Sequence, residues 1–355
     1  MPPPGVPLDV VFSRRQRGGD PVPDTMSDSH QPAKSFVVAR ETAHGGDIGV
    51  LAGAVVAIGN FDGVHRGHRA VIAAAQKRAR SLGRKAAALT FAPHPRRFFQ
   101  PQDTLFQLSD ERAKLRLLAA TGLDGVIVMR FDAALAGTTA EDFIGKILVE
   151  RFKIGGAAIG FDFHFGKNRT GSPAFLAEQG ARLGFAVDVV PPLEDEGRPI
   201  SSGAVRTALS AGKVVEAAEL LGAPWFVSGE VIHGEKRGRG LGFPTANVRL
   251  DPACELKHGI YAVRVQVDGK RFGAVASFGR RPMFDNGAPL LEVFLFDFTG
   301  DLYGRTIDVA FIGWVRHEQT FETVDALKRQ MGEDSRRAHE ALARAGDAFP
   351  QLGNI

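Results

Sequence analysis

The sequence lacks most of the features that mark specialised classes of protein. It has one cysteine among 355 residues, Cys254, which excludes an internal disulfide framework and favours a reducing, cytoplasmic setting. No apolar run reaches the roughly 18 residues that a membrane helix requires. The net charge of +4 is small and evenly spread, so nucleic acid is not an expected partner. We expect a protein that acts on small molecules, as a monomer or a transient homo-oligomer.

Residues 1–34 are polar and broken by prolines, without the periodicity of helices or strands. Their run Val10-Val11-Phe12 is too short for the apolar core of a signal peptide. We expect a disordered extension, and Met26 is an alternative start because nothing before it has a foldable pattern.

Residues 50–190 alternate apolar strand patterns with amphipathic helix patterns, which predicts an α/β domain with a parallel sheet covered on both faces. The predicted strands are Ala54–Ile58, Ala86–Phe91, Gly125–Met129, Ala157–Phe161 and Ala186–Val190. The predicted helices are Gly67–Leu82, Asp110–Ala120, Ala140–Phe152, Pro173–Leu183, Gly203–Ser210 and Val214–Leu221. Thr138 with Glu141 fits a capping box, and Ser172 precedes a proline at the first helical position.

After Gly222 the pattern changes to short strands separated by turns, which predicts a small antiparallel barrel. The predicted strands are Phe226–Val231, Tyr261–Val267, Gly273–Phe278, Leu291–Phe298 and Ile307–Phe311, followed by a helix over Thr323–Ala345. The dipeptide Asp268-Gly269 is typical of a hairpin turn. We therefore expect two domains, residues 35–222 and 223–350.

The segment Gly59-Asn60-Phe61-Asp62-Gly63-Val64-His65-Arg66-Gly67-His68 joins the first strand to the first helix. Its glycines allow a sharp turn, and the N-terminus of the helix presents free N–H groups suited to phosphate. His65 and His68 fall on one face, where they can stabilise charge on phosphorus. The pattern also fits a helix cap with surface histidines, or a metal pair completed by His94, although carboxylate or cysteine ligands are missing nearby.

Three more segments are expected at the same edge of the sheet, because parallel strands end there together. They are Phe91–Pro95, Gly160–Gly171 (with Asp162) and Ile200–Arg206. Ser202 is a plausible N-cap, and Arg206 would point from the first turn of its helix toward an anion.

The barrel contains a glycine-rich basic stretch that includes Gly238, Gly240 and Gly242, and the element Pro244-Thr245-Ala246-Asn247 follows it directly. In extended chain, Thr245 and Asn247 point to one side and offer hard oxygen ligands for Mg²⁺. Strand alternation places Glu292 on one face with Phe294, Phe296 and Phe298. Glu292 is either a general base in a pocket or a solvated carboxylate at a strand end, and the glycine stretch alone also fits a basic hairpin tip.

With these motifs the chain resembles the bacterial family of bifunctional riboflavin kinases/FAD synthetases (FMN adenylyltransferases), over about residues 50–345. The first segment also resembles the HxGH motif of the nucleotidyltransferase superfamily. The resemblance implies a Rossmann-like nucleotidyltransferase domain followed by a riboflavin kinase barrel and a C-terminal helix. The implied chemistry is phosphorylation of riboflavin to FMN and adenylylation of FMN to FAD, with ATP as co-substrate and Mg²⁺ as cofactor.

For the first domain, the resemblance implies that His65 and His68 contact the ATP phosphates in the transition state. Asp162 would lie beside the nucleotide, and Ser201, Ser202 and Arg206 would grip phosphates. Gly203 replaces a family threonine, which removes one hydroxyl contact. Two aromatic pairs are candidates for flavin contacts or for core packing: Phe98 with Phe99, and Phe163 with Phe165.

For the barrel, the resemblance implies that Thr245 and Asn247 bind Mg²⁺ and ATP, and that Glu292 takes the proton of the ribityl 5′-hydroxyl. The chain departs from the family at Met283 and Phe294. Two alternatives remain at this point: a nucleotidyltransferase for another alcohol phosphate with a non-catalytic flavin-binding barrel, and a flavin-binding regulator without turnover.

Overall fold

The computed structural model describes residues 35–42, 45–102, 104–195, 197–233, 243–280 and 288–355. The extension predicted over residues 1–34 therefore lies outside the described residues. We refer to the part from Val37 to Leu221 as the sheet domain and to the part from Phe226 to Arg344 as the barrel domain. Among the described residues, no helix is both long and apolar enough to span a membrane.

The sheet domain is built on six parallel strands. They are β1 (Val37–Glu41), β2 (Val55–Ile58), β3 (Ala86–Ala92), β4 (Gly125–Arg130), β5 (Gly156–Gly160) and β6 (Ala186–Val190). They form one sheet in the order β1-β4-β3-β2-β5-β6. The central strands β2 and β3 consist largely of alanine and valine and are buried almost throughout, as expected for a parallel sheet covered by helices on both faces.

The helices of the sheet domain follow its strands. They are α1 (Arg66–Ser81), α2 (Pro95–Phe99), α3 (Glu111–Ala119), α4 (Ala133–Gly137), α5 (Ala140–Asp142, continued by a π-helix over Phe143–Arg151), α6 (Pro173–Leu183), α7 (Ser202–Ser210) and α8 (Val214–Leu221). A two-stranded hairpin of β7 (Glu194–Asp195) and β8 (Arg198–Pro199) precedes α7. The predicted strands and helices of this domain are confirmed to within one residue at each end.

One predicted cap is wrong and another is confirmed. Thr139, not Thr138, caps α5, since its hydroxyl accepts from the backbone N–H of Asp142 at 3.1 Å. The Thr138 hydroxyl donates to the carbonyl of Ala134 in the preceding helix at 2.9 Å, so it is not available as a cap. Ser172 caps α6 as predicted.

The barrel domain is a closed antiparallel barrel of six strands. They are β9 (Phe226–Ile232), β10 (Ala246–Arg249), β11 (Gly259–Val267), β12 (Lys270–Arg280), β13 (Pro289–Leu295) and β14 (Thr306–Arg316). Their order around the barrel is β10-β13-β12-β11-β14-β9, and α9 (Val324–Arg344) packs on the outside. The Asp268-Gly269 turn between β11 and β12 is confirmed, with both residues at positive φ.

The two domains share one hydrophobic core and are also joined by polar contacts near α3. The guanidinium of Arg116 donates two hydrogen bonds to the carboxylate of Asp308 in β14, at 2.7 and 2.8 Å. The indole N–H of Trp225 donates to the carbonyl of Leu108 at 2.7 Å, and the N–H of Gly353 donates to the carbonyl of Arg116 at 2.9 Å. Residues Ser35–Ile355 consequently form one compact unit.

Candidate functional site

The segment between β2 and α1 makes a tight bend at the carboxyl edge of the sheet. Phe61, Gly63 and Val64 all have positive φ, at 51°, 79° and 44°. A side chain at Gly63 would also come within 2.9 Å of Leu108, so both the backbone and the packing require glycine there. The fully buried ring of Phe61 anchors the bend below the sheet edge, and Gly59 packs against that ring.

His65 and His68 form a stacked pair at the start of α1. Their ring centroids are 3.6 Å apart with an interplanar angle of 21°. Nδ1 of His65 accepts the backbone N–H of His68 at 3.2 Å, so a neutral His65 carries its proton on Nε2. Nδ1 of His68 is buried and has no hydrogen-bond partner among the described residues.

Both imidazoles are held in the neutral form. Burial, together with the nearby Arg206 guanidinium, lowers the pKa of His65 to about 4. Burial, the adjacent His65 and the Lys114 ammonium lower the pKa of His68 well below its usual value. Burial also lowers the pKa of His94, at the end of β3, to about 4. At neutral pH these rings act as neutral hydrogen-bond donors.

Asp62 is an internal anchor of this site. Its carboxylate is 3% exposed and accepts the backbone N–H groups of Leu108 and Ser109 at 2.9 and 3.1 Å. It also accepts from Nη2 of Arg206 at 2.5 Å, and Nε of Arg206 donates to the carbonyl of Phe106 at 2.5 Å. Asp62 thus sets the direction of the Arg206 guanidinium from a position 144 residues away in sequence.

The N-cap predicted for α7 is wrong by one residue. Ser201, not Ser202, caps α7, because its hydroxyl accepts the backbone N–H of Ala204 at 3.2 Å. Ser202 is the first residue of the helix, and its hydroxyl donates to the carbonyl of Asp62 at 3.0 Å. Ser202 therefore ties α7 to the bend that carries the histidines.

Lys114 is a residue of this site that the sequence reasoning missed. It is 6% exposed, and its ammonium lies among the carbonyls of Asn60 and Phe91 and the hydroxyl of Thr90, at 3.3–3.4 Å. The sequence signal that could have indicated it is a lysine between two apolar residues, Ala113 and Leu115, in α3. Both neighbours are buried in the structure.

Asp162 lies beyond the end of β5 at the same edge, and its side chain is exposed. The two aromatic pairs differ in their surroundings. Phe165 is buried and stacks on Phe163 with a centroid distance of 5.5 Å, which is core packing. Phe98 and Phe99 are exposed and lie edge-on to Phe131.

A second cluster lies on the outer face of the barrel. Asn247 in β10 is directly opposite Glu292 in β13, and Ser277 in β12 is opposite Glu292 on its other side. Thr245, Asn247 and Phe294 line a cavity of about 490 Å³ that also contains Asp297 and Asp301. Gly238, Gly240 and Gly242 lie outside the described residues.

The predicted phenylalanine face around Glu292 is partly wrong. Strand β13 ends at Leu295, so Phe298 belongs to the following turn, where it lines the cavity. Phe296 is buried against α9, where it stacks on His339 at 4.0 Å. Glu292 itself is half-buried in mid-strand and is not at a solvated strand end.

Among the described residues, no group of three or more His, Cys, Asp or Glu side chains could hold a metal ion. The cavity of the barrel does carry hard oxygen donors, from Thr245, Asn247 and two aspartates. This donor set is the kind that suits Mg²⁺. Cys254 is buried, and burial raises its pKa to about 11, so it is a packed thiol.

Comparison with known proteins relates both halves of the chain to enzymes of flavin metabolism. Residues 48–204 match the family model of FAD synthetase, and residues 221–342 match that of riboflavin kinase. Two curated relatives are named bifunctional riboflavin kinase/FMN adenylyltransferase. The one from Pseudomonas fluorescens is 39% identical over 82% of this chain and 94% of its own length. The one from Escherichia coli K12 is 40% identical over 81% of this chain and 92% of its own length.

A solved structure from Streptococcus pneumoniae, described as a macrolide-efflux protein, shares the fold with a TM-score of 0.77. It is 31% identical and covers 86% of this chain and 99% of its own. The FAD synthetase match contains the His65/His68 cluster, and the riboflavin kinase match contains the cluster of Asn247 and Glu292. The chain belongs to the bifunctional riboflavin kinase/FMN adenylyltransferase family.

Proposed function

We propose that the chain makes FAD from riboflavin in two ATP-dependent steps, one at each cluster. The barrel domain phosphorylates riboflavin to FMN, and the sheet domain adenylylates FMN with release of pyrophosphate. The observation that carries the proposal is the presence of two separate polar sites on two different folds. One holds the His65/His68 pair beside Arg206, and the other holds Asn247 opposite Glu292.

In the adenylylation step, a phosphate oxygen of FMN attacks the α-phosphorus of ATP and pyrophosphate leaves. Neutral His65 and His68 donate N–H groups to phosphate oxygens as negative charge moves onto the leaving group. The bend Gly59-Asn60-Phe61-Asp62-Gly63 positions these rings. Arg206, oriented by Asp62, faces the phosphates together with Ser201 and Ser202 at the start of α7. Ser202 also holds α7 against the bend, and Ser201 caps the helix.

Asp162, exposed at the end of β5, lies beside the nucleotide in this proposal. The exposed pair Phe98 and Phe99 is the aromatic surface suited to the flavin ring, since Phe163 and Phe165 are occupied in packing.

In the kinase step, the 5′-hydroxyl of riboflavin attacks the γ-phosphorus of ATP and ADP leaves. Glu292 accepts the hydroxyl proton as the new bond forms. Thr245 and Asn247 would hold Mg²⁺, which when bound neutralises charge on the ATP phosphates. Pro244 lines the cavity beside them. Gly238, Gly240 and Gly242 complete the ATP site in this proposal.

The test is to follow separately labelled phosphates of ATP. With riboflavin as acceptor, label from the γ-phosphate should enter both FMN and FAD, whereas label from the α-phosphate should enter FAD only, with one pyrophosphate per FAD. Absence of γ-label from flavin products would leave the barrel without catalytic function. Transfer of α-label to another alcohol phosphate in preference to FMN would favour a different nucleotidyltransferase.

We place the action of the protein in the cytoplasm, on small molecules and not on nucleic acid, as a monomer or transient homo-oligomer. Light scattering at working enzyme concentration, with and without ATP and FMN, measures the oligomeric state.

A further inference from the structure

Lys114 is a buried cation to which the reaction described above assigns no role. Its ammonium donates toward three neutral oxygens: the carbonyl of Asn60 at 3.4 Å, the hydroxyl of Thr90 at 3.3 Å and the carbonyl of Phe91 at 3.3 Å. Only 6% of the residue is exposed. A charge removed from water is costly unless an opposite charge compensates it.

No carboxylate of the described residues forms an ion pair with Lys114. The two acids that act on it electrostatically, Asp62 and Glu111, have other partners. Asp62 binds Arg206 at 2.5 Å, and Glu111 binds Arg40 at 2.5 Å. Lys114 therefore has no ion-pair partner of its own among the described residues, and burial lowers its pKa although Asp62 and Glu111 oppose this.

The three oxygens around Lys114 belong to the carboxyl ends of two adjacent strands. Asn60 follows β2 in the bend that leads to His65, while Thr90 and Phe91 lie near the carboxyl end of β3, shortly before His94. The Thr90 hydroxyl also donates to the carbonyl of Asn60 at 3.2 Å. Lys114 thus cross-links the two loops that carry the histidines.

The charged and titratable groups at this edge of the sheet come from several elements, and Lys114 interacts electrostatically with four of them: Asp62, Glu111, His68 and His94. His65 and His68 come from α1, and His94 precedes α2. Asp62 lies in the bend, Glu111 on α3 itself, and Arg206 on α7. The positive charge of Lys114 is one cause of the lowered pKa of both His68 and His94.

We propose that Lys114 is a positioning residue for adenylyl transfer. It ties the bend after β2 to the carboxyl end of β3, and its charge adds to the burial that keeps His68 neutral. The phosphates of the nucleotide supply its counter-charge. The inference rests on the proposed adenylylation at this site. It differs from a purely structural role because it requires the charge of Lys114 and not only its hydrogen bonds.

The test compares Lys114→Met, Lys114→Gln and Lys114→Arg, with Arg112→Met as control. Arg112 lies two residues away on the exposed face of α3, so its loss removes the same charge from the same helix. FAD formation from FMN and ATP is measured across pH, and FMN formation from riboflavin is measured on the same preparations.

We expect Lys114→Met and Lys114→Gln to lower the turnover of FAD formation by about 10–100-fold, less than the 10²–10³ typical of a lost direct donor. The acid limb of the pH–rate profile should move to higher pH in both, because His68 and His94 lose a repelling charge. Lys114→Arg should return the limb toward its wild-type position. FMN formation should stay unchanged, as should both activities of Arg112→Met.

Reduced turnover with an unmoved acid limb would overturn the electrostatic role, and wild-type turnover in Lys114→Met would overturn the proposal entirely. If Lys114→Met does not fold, Lys114→Gln, which retains donor N–H groups, decides the same question. If neither variant folds, Lys114→Arg is compared with the wild type. An acid limb at the wild-type pH supports the charge requirement, and a displaced acid limb overturns it. A wild-type enzyme that makes no FAD at any pH would instead refute the proposed function of the sheet domain.

Discussion

Replacing Glu292 by glutamine tests whether this carboxylate takes part in catalysis or only packs in the barrel. Glutamine keeps the length of the side chain and its hydrogen-bonding reach but cannot accept a proton at neutral pH. Glu292 lies in mid-strand, opposite Asn247 and Ser277, where neighbouring Cβ atoms are about 4.5–5.5 Å apart, so glutamine fits the same cross-strand contacts. We expect the free energy of unfolding to change by no more than about 1 kcal/mol.

If Glu292 accepts the 5′-hydroxyl proton, the rate of FMN formation should fall by about 10²–10⁴, the usual contribution of general base catalysis. At about 1.36 kcal/mol per factor of ten, this loss corresponds to about 2.7–5.4 kcal/mol of transition-state stabilisation. Riboflavin affinity, followed by flavin fluorescence, should change little because the lost interaction forms only as the proton moves.

The assay measures FMN formation from riboflavin and FAD formation from supplied FMN on one preparation of the variant. FAD formation should continue, because the His65/His68 pair lies in the other domain. Glu230→Gln is the matched control, since Glu230 is an exposed carboxylate on the nearby strand β9. Near-normal FMN formation by Glu292→Gln would remove Glu292 from the mechanism and refute the reasoning.

His68→Ala should lower the rate of FAD formation by about 10²–10³-fold and leave FMN formation unchanged in a product assay. Equal loss of both activities would indicate a folding defect instead. His65 titrates near 4 in the fold and near 6.5 when unfolded, so the free energy of unfolding should fall as pH drops from 6.5 to 4. Denaturant titrations should show that His65→Gln weakens this dependence, and an unchanged slope would contradict the burial of a neutral ring. A fragment beginning at residue 223 should phosphorylate riboflavin. It should unfold at a lower temperature than the whole chain, because Asp308 loses its partner Arg116. A folded fragment without kinase activity would refute the two-domain division.

The sequence alone determined those features that depend on neighbours along the chain. The bounds of the five predicted strands and six predicted helices of the sheet domain follow from apolar periodicity, and Asp268-Gly269 specifies its turn because both residues tolerate positive φ. The motif around His65 and His68 could be recognised because its chemistry lies within one turn of helix. Even here, choices between adjacent residues failed: Ser201 and not Ser202 caps α7, since the Ser202 hydroxyl has a partner far away in the chain.

The tertiary structure alone decided which distant groups meet. Asp62 and Arg206 are 144 residues apart, and only the parallel order of the strands brings α7 against the bend after β2. The register of the barrel places Asn247 opposite Glu292, and periodicity within one strand carries no information on register between strands. Lys114 was missed for the same reason. A lysine in an amphipathic helix is normally solvated, and its burial depends on the ends of β2 and β3 closing over it.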